Sequence, residues 1–150
     1  NTASIESVVG GAGDDTYTAT GAASAVTVDA GNGNDSVTGS ANADSIFGGA
    51  GNDTLVGGAG ADTLDGGGGT DHYVGNTGTG LDYVNNYVDG TDKIDLQSFA
   101  LGGTPAAGFA NLTVTAAGAD TLITITATTE QVFRLVGVAP GVIDQTDFIF

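Results

Sequence analysis

Between residues 30 and 74 an apolar residue recurs at a fixed place once every nine positions, a spacing that fits neither the alternation of a long strand nor the period of a helix. In register the units read AGNGNDSVT (30–38), GSANADSIF (39–47), GGAGNDTLV (48–56), GGAGADTLD (57–65) and GGGGTDHYV (66–74), and one more, GGAGDDTYT (10–18), stands upstream. Each unit runs through small residues to an Asp, with an apolar residue two places later. The glycines suit a turn, because positive φ carries no Cβ penalty there, and Asn42 in a glycine slot is the next most tolerant residue. The last three residues suit a very short strand whose middle side chain points to one face and whose neighbours point to the other. The pattern predicts an inward column of Tyr17, Val37, Ile46, Leu55, Leu64 and Tyr73.

Two units make one 18-residue coil with a turn at each end, so that every second unit stacks at the strand spacing of about 4.8 Å. Asp35 then lies beside Asp53 and Asp71, while Asp44 lies beside Asp62 on the opposite edge. Val8, nine before Tyr17, fills the apolar slot of a decayed earlier unit, so the chain enters in mid-pattern as an excerpt of a longer protein would. The run between Thr18 and Asp29 keeps a strand-like VTV (26–28) but no turn signature, which predicts a coil without metal on that side. After Val74 the beat slips by two residues, and TGTGLDYVN (77–85) again offers Gly78, Gly80, Asp82 and the apolar Val84. Of the outward positions, Thr16, Ser36, Ser45, Thr54 and Thr63 form one row. The neighbouring row includes Phe47, Val56 and Val74, which suit docking of an adjoining domain, and is too mixed for an ice-binding plane.

Beyond residue 90 the stretches lengthen, with DKIDL (92–96), NLTVT (111–115), DTLITITA (120–127) and QVFRLVGV (131–138) reading as strands, and AAGAD and TTE as hairpin turns. A roll leaves an open apolar end that needs a cap. Phe99, Leu101, Phe109, Leu112, Leu122, Ile123, Ile125, Phe133, Leu135, Val138, Ile143, Phe148 and Phe150 are enough to fill one. The expected fold is all-β: a right-handed parallel β-roll over residues 1–90, followed by a small, mainly antiparallel β cap over 91–150.

Charge sharpens this picture. Eighteen acidic side chains face only Lys93 and Arg134, a net charge of −16 that argues against nucleic acid or an anionic membrane surface as partner. Twenty-seven glycines with no cysteine describe a chain that is costly to order and has no disulfide to hold it. One aliphatic side chain buried per nine residues does not offset that entropy. Two bare carboxylates about 4.8 Å apart also repel by roughly 1 kcal/mol in water, and by several in a partly dry setting. A hard divalent cation between coils reverses the sign of this term. Calcium takes six to eight oxygens in adaptable geometry, magnesium insists on a tighter octahedron, and transition metals want His or Cys. The spacing therefore predicts calcium ligands at Asp35, Asp44, Asp53, Asp62 and Asp71, with Asp15 and Asp82 extending the set. Backbone carbonyls of Gly31, Gly33, Gly49, Gly51, Gly58, Gly60, Gly67 and Gly69 complete the coordination. Asp29, Asp65, Asp92 and Asp95 lie off the beat. Ser40, Asn42 and Ala30 stand where glycine is expected, which predicts weaker sites in the turns they share.

The nonapeptide G-G-x-G-x-D-x-U-x is the repeat of RTX (repeats-in-toxin) calcium-binding proteins, and the units over 30–74 resemble it. The stretch YVNNYVDGTDKIDLQSF (83–99) and the terminal LVGVAPGVIDQTDFIF (135–150) resemble the C-terminal capping and secretion region of RTX proteins exported by type I systems. The resemblance implies several calcium ions, export from a Gram-negative bacterium through an uncleaved C-terminal signal, and folding outside the cell. It implies as partners the type I secretion machinery and the rest of a parent protein, or neighbouring surface proteins. A surface-layer or adhesin-type parent is favoured by the low basic content; an accessory module of a secreted metalloprotease, lipase or alginate epimerase is the alternative. No apolar run is long enough for membrane insertion. The chain itself is expected to catalyse nothing: it has a single His, His72, on an outward position, no H-E-x-x-H, G-x-S-x-G or phosphate-loop motif, and carboxylates that recur rather than occur as one pair. The N-x-S/T sequences at Asn34 and Asn52 fall inside the turns, and a third is at Asn111.

Overall fold

The structure, a computed structural model, describes residues 6–76, 80–101, 105–126 and 130–150. Its nonapeptides wind into a parallel β-roll, each contributing one short strand to one of two facing sheets. The first sheet takes β1 (Glu6–Ala12), β3 (Val26–Asn32), β5 (Ser45–Ala50), β7 (Thr63–Gly68) and β9 (Asp82–Asn85), in that order. The second takes β2 (Thr16–Thr18), β4 (Ser36–Thr38), β6 (Thr54–Val56), β8 (His72–Val74) and β10 (Lys93–Asp95). Register follows the expected 18-residue coil where the repeats are strict, as in Val37↔Leu55↔Tyr73 and Ile46↔Leu64. The slip after Val74 appears as Leu64↔Val84. Gly78 lies outside the described residues.

Strands of three residues survive because every coil buries its middle side chain against the opposite sheet. Val28, Ile46, Leu64 and Val84 point inward from the first sheet and Val37, Leu55, Tyr73 and Ile94 from the second; all are fully or almost fully buried, with Val8 and Tyr17 packed against them at the upstream end. Glycine is required where the turns stack. Gly49 and Gly51 hold φ of 113° and 129°, and a Cβ on either would overlap the carbonyl oxygen of Gly31 or Gly33 in the coil before. Asn42 does not follow this rule. Among the described residues the positive-φ residues other than glycine are Asn86 and Ala100, so the Gly39–Asp44 turn takes a different path from its neighbours.

The C-terminal strands extend both sheets. β13 (Glu130–Leu135) pairs in parallel with β9, placing Phe133 beside Asp82 and Leu135 beside Val84, and then continues antiparallel into β12 (Asp120–Ile125) and β11 (Leu112–Ala117). β14 (Phe148–Ile149) lies parallel to β10, with Phe148 beside Ile94. β11, β12 and β13 thus give the antiparallel meander expected, with Gly118 at φ 77° in the tight turn that closes Ala117 onto Asp120. The TTE turn falls largely outside the described residues. Of the predicted cap core, Ile123, Ile125, Phe133, Leu135, Ile143 and Phe148 are buried, and Phe99, Leu101, Phe109, Leu112, Val138 and Phe150 pack against them. Leu122 instead shares the outer face with its register partner Arg134, because strand alternation gives the interior to Ile123. A register shift between Ile123 and Thr124 lets Val132 and Phe133 both enter the core. The short α1 (Pro105–Phe109) was not legible in the sequence; its Phe109 ring lies 5.6 Å from that of Phe148, tilted by 49°.

Leu55→Ala removes a side chain with no exposed surface and is expected to lower the stability of the calcium-loaded protein by about 2 to 5 kcal/mol, read from denaturant unfolding. Phe47→Ala, on a side chain 40% exposed on the outer face, is expected to change it by less than about 1 kcal/mol.

Candidate metal-binding columns

Stacking the turns aligns the aspartates into two columns. At one edge the backbone N–H of Asp15 donates to Asp35 Oδ1 (2.7 Å), that of Asp35 to Asp53 Oδ1 (2.8 Å), that of Asp53 to Asp71 Oδ1 (2.9 Å) and that of Asp71 to Asp92 Oδ1 (3.0 Å). At the other edge Val26 N–H donates to Asp44 Oδ1, Asp44 N–H to Asp62 Oδ1 and Asp62 N–H to Asp82 Oδ1. Every carboxylate thus ties its turn to the coil before it. The second column starts at Asp44 because its upstream slot is Val26, in agreement with the missing turn signature there, and stops at Asp82 because the next rung holds Phe133.

The columns are dry. Asp35, Asp44, Asp53, Asp62, Asp71, Asp82 and Asp92 are all 4% exposed or less, while Asp15 at the upstream end is half-buried. In the Asp35, Asp53 and Asp62 carboxylates, Oδ1 accepts its backbone bond while Oδ2 is buried with no donor at all. That oxygen lies over the first residue of its own turn: a Cβ on Gly48 would overlap Asp53 Oδ2, and one on Gly57 would overlap Asp62 Oδ2. An ionised carboxylate in that position is strongly disfavoured unless something positive meets it. Burial accordingly raises Asp53 above the ordinary carboxylate range and brings Asp62 and Asp71 to about 6 and Asp82 to about 7. Column neighbours push the same way, Asp44 on Asp62 and Asp62 on Asp82, while the backbone N–H bonds oppose them.

Neither basic side chain reaches the columns as an ion-pair partner. Arg134 is paired with Asp120 at 2.7 Å and lies over the Tyr83 ring, and Lys93 Nζ donates to the Thr146 carbonyl. His72 sits on the outer face of the second sheet between Thr54 and Lys93. Among the described residues no three carboxylate, imidazole or thiol side chains converge on one point. A cation here would meet carboxylates singly or in stacked pairs and would have to draw its remaining ligands from backbone carbonyls. Such a donor set, all oxygen, irregular and anionic, fits calcium, and the orphaned Oδ2 atoms supply the positions such an ion would satisfy.

Two features lie beyond what the repeat pattern assigned. Asp92, off the beat in sequence, is the fifth member of the first column; an insertion makes its rung 21 residues long, and Asp92-x-Ile94 was the surviving signal, stripped of its glycine turn. Outside the first column runs a second hydrogen-bonded row, in which Asn34 N–H donates to Asp14 Oδ1, Asn52 N–H to Asn34 Oδ1 and Thr70 N–H to Asn52 Oδ1. The side chains of Asn34 and Asn52 are therefore structural bonds of the turns. Asn111 is likewise engaged, donating to the Leu101 and Ala107 carbonyls.

A parallel β-roll wound from acidic nonapeptides, with two buried carboxylate columns, defines the class of protein. Residues 27–55 and 47–81 match the family model of the RTX calcium-binding nonapeptide repeat, and this part of the chain is an RTX calcium-binding repeat array. No curated protein matches the chain. Among solved structures, the chain resembles the AlgE6R3 subunit of the Azotobacter vinelandii mannuronan C5-epimerase, with 23% identity, a TM-score of 0.55 and coverage of 93% of this chain and 79% of that one. It also resembles the extracellular lipase LipA from Serratia marcescens, with 22% identity and a TM-score of 0.51, across 94% of this chain and 20% of the lipase. These likenesses establish the β-roll fold.

Because Asp53, Asp62, Asp71 and Asp82 titrate above the ordinary carboxylate range when folded, the metal-free folded state holds extra protons. Its stability is expected to fall as pH rises from about 4 through about 7. With a chelator present, the β-sheet circular dichroism signal should therefore be larger at about pH 5 than at about pH 8. Calcium must displace those protons, so the calcium concentration at half-folding should rise as pH drops below about 7. Flat responses in both experiments would contradict the burial of the columns.

Proposed function

We propose that this chain is a calcium-dependent folding and export module of a larger secreted protein, with residues 1–90 as the roll and 91–150 as a cap carrying the type I secretion signal. The observation that carries this reading is the set of buried, donor-less Oδ2 atoms on Asp35, Asp53 and Asp62. Calcium ions at these carboxylates, with Asp15, Asp71 and Asp82 completing the columns, hold the coils together. Carbonyls of Gly31, Gly33, Gly49, Gly51, Gly58, Gly60, Gly67 and Gly69 supply further oxygens. Asp44 stands apart, since protein donors already occupy its carboxylate. At a free calcium level a hundredfold above its dissociation constant, each site adds about 2.7 kcal/mol to the folded state. That is the scale needed to switch a glycine-rich solenoid from disordered to folded when it leaves a calcium-poor cell for a calcium-rich exterior. The chain acts by binding and folding rather than by catalysis.

The partners in this reading are calcium, the type I secretion machinery of a Gram-negative bacterium and the remainder of the parent protein. No helix among the described residues is long and apolar enough to cross a membrane. A surface-layer or adhesin-type parent suits a chain with only two basic residues. An accessory module of a secreted enzyme is the second reading, favoured by the likeness to one epimerase subunit and to one-fifth of an extracellular lipase.

Circular dichroism with calcium and then with excess chelator tests the proposal: β signal is expected with the ion and its loss without, and an unchanged signal after complete metal removal refutes it. Asp53→Ala is expected to raise the calcium midpoint more than any other single column substitution, because Asp53 is the middle carboxylate of the five in the first column and joins Asp35 on one side to Asp71 on the other.

A further inference from the structure

One on-beat aspartate differs from the others. Asp44 Oδ1 accepts the Val26 N–H at 2.8 Å and the Ser40 hydroxyl at 2.9 Å, and its Oδ2 accepts the Ser40 N–H. The Ser40 hydroxyl oxygen in turn accepts the Asn42 N–H and side-chain amide at 3.0 and 3.3 Å. A carboxylate has about four acceptor positions. Asp44 fills three of them from within the protein, whereas Asp35, Asp53 and Asp62 each keep a buried Oδ2 with no donor.

The backbone differs in the same place. Gly31 and Gly33, Gly49 and Gly51, Gly58 and Gly60, and Gly67 and Gly69 all hold positive φ, but Ser40 and Asn42, in the matching slots, do not. The Gly39–Asp44 turn therefore lacks the path that these four turns share and has closed around the serine hydroxyl. Its column position agrees with this, since the upstream neighbour of Asp44 is Val26 and no second carboxylate approaches from that side.

We propose that the Gly39–Asp44 turn holds no calcium, and that Ser40, through its hydroxyl and backbone N–H, replaces the ion as the partner of the Asp44 carboxylate. This rests on the calcium reading above and adds to it a specific gap in the array. The turn orders itself at the start of the second column without metal. The column's ion dependence begins one rung later, at Asp62.

The test counts ions by native mass spectrometry on the calcium-loaded chain. The double variant Ser40→Gly/Asn42→Gly removes the hydroxyl and restores the glycine path, and is expected to bind one ion more than the parent. Asp44→Asn, which keeps an oxygen for the Val26 N–H, is expected to bind as many ions as the parent, while Asp62→Asn binds one fewer. Loss of an ion in Asp44→Asn, or an unchanged count in the double variant, overturns the proposal and leaves the calcium reading standing. A parent chain that takes up no calcium overturns the calcium reading itself. Should Asp44→Asn fail to fold, the double variant alone decides.

Discussion

The roll depends on the burial of stacked carboxylates. Each on-column Asp fixes a turn to its neighbour through one oxygen, and that bond draws the charged group out of water. The arrangement that gives the coils their register therefore also loads the interior edge with like charges about one strand spacing apart. In the absence of a cation the two effects oppose one another, and the elevated titration of Asp62, Asp71 and Asp82 registers the conflict. Register and instability come from the same atoms, so an ion that relieves the second also secures the first.

Much of this was legible in the sequence because the nonapeptide couples a charge to an apolar residue at a fixed offset. Once Asp35, Asp44, Asp53, Asp62 and Asp71 are placed, the inward column of Val37, Ile46, Leu55, Leu64 and Tyr73 follows, and each of these side chains is fully buried. The slip that brings Asp82 beside Asp62 was also readable, since Val84 kept its offset. Asp92 escaped because an insertion lengthened its coil and the residues before it, VDGT, do not spell a glycine turn. The Asp14, Asn34, Asn52 and Thr70 row escaped for a different reason: it recurs at one edge only, with Ala43 and Ala61 opposite, so units compared nine residues at a time conceal it.

Substitutions within the repeat were harder to read. Ser40 and Asn42 look like imperfect glycines, and the expectation was a weakened version of the same turn. The chain instead avoids positive φ altogether there and rebuilds the turn from side-chain hydrogen bonds. Loss of a permissive residue in such a turn changes its chemistry, because the backbone path and the hydrogen-bonding capacity of the replacement arrive together.

The two sheets are sealed by segments from far along the chain. Within the repeats, pairing joins residues 18 to 21 apart, but Val84 meets Leu135 and Ile94 meets Phe148, more than 50 residues away. Coils can thus add one to the next by local closure, which is kinetically easy, while the strands that pair with β9 and β10 wait for a long loop to close. The ladder of coils therefore remains open-ended until the segment at residues 133–149 has been delivered, and completion of the molecule is gated by arrival of the tail.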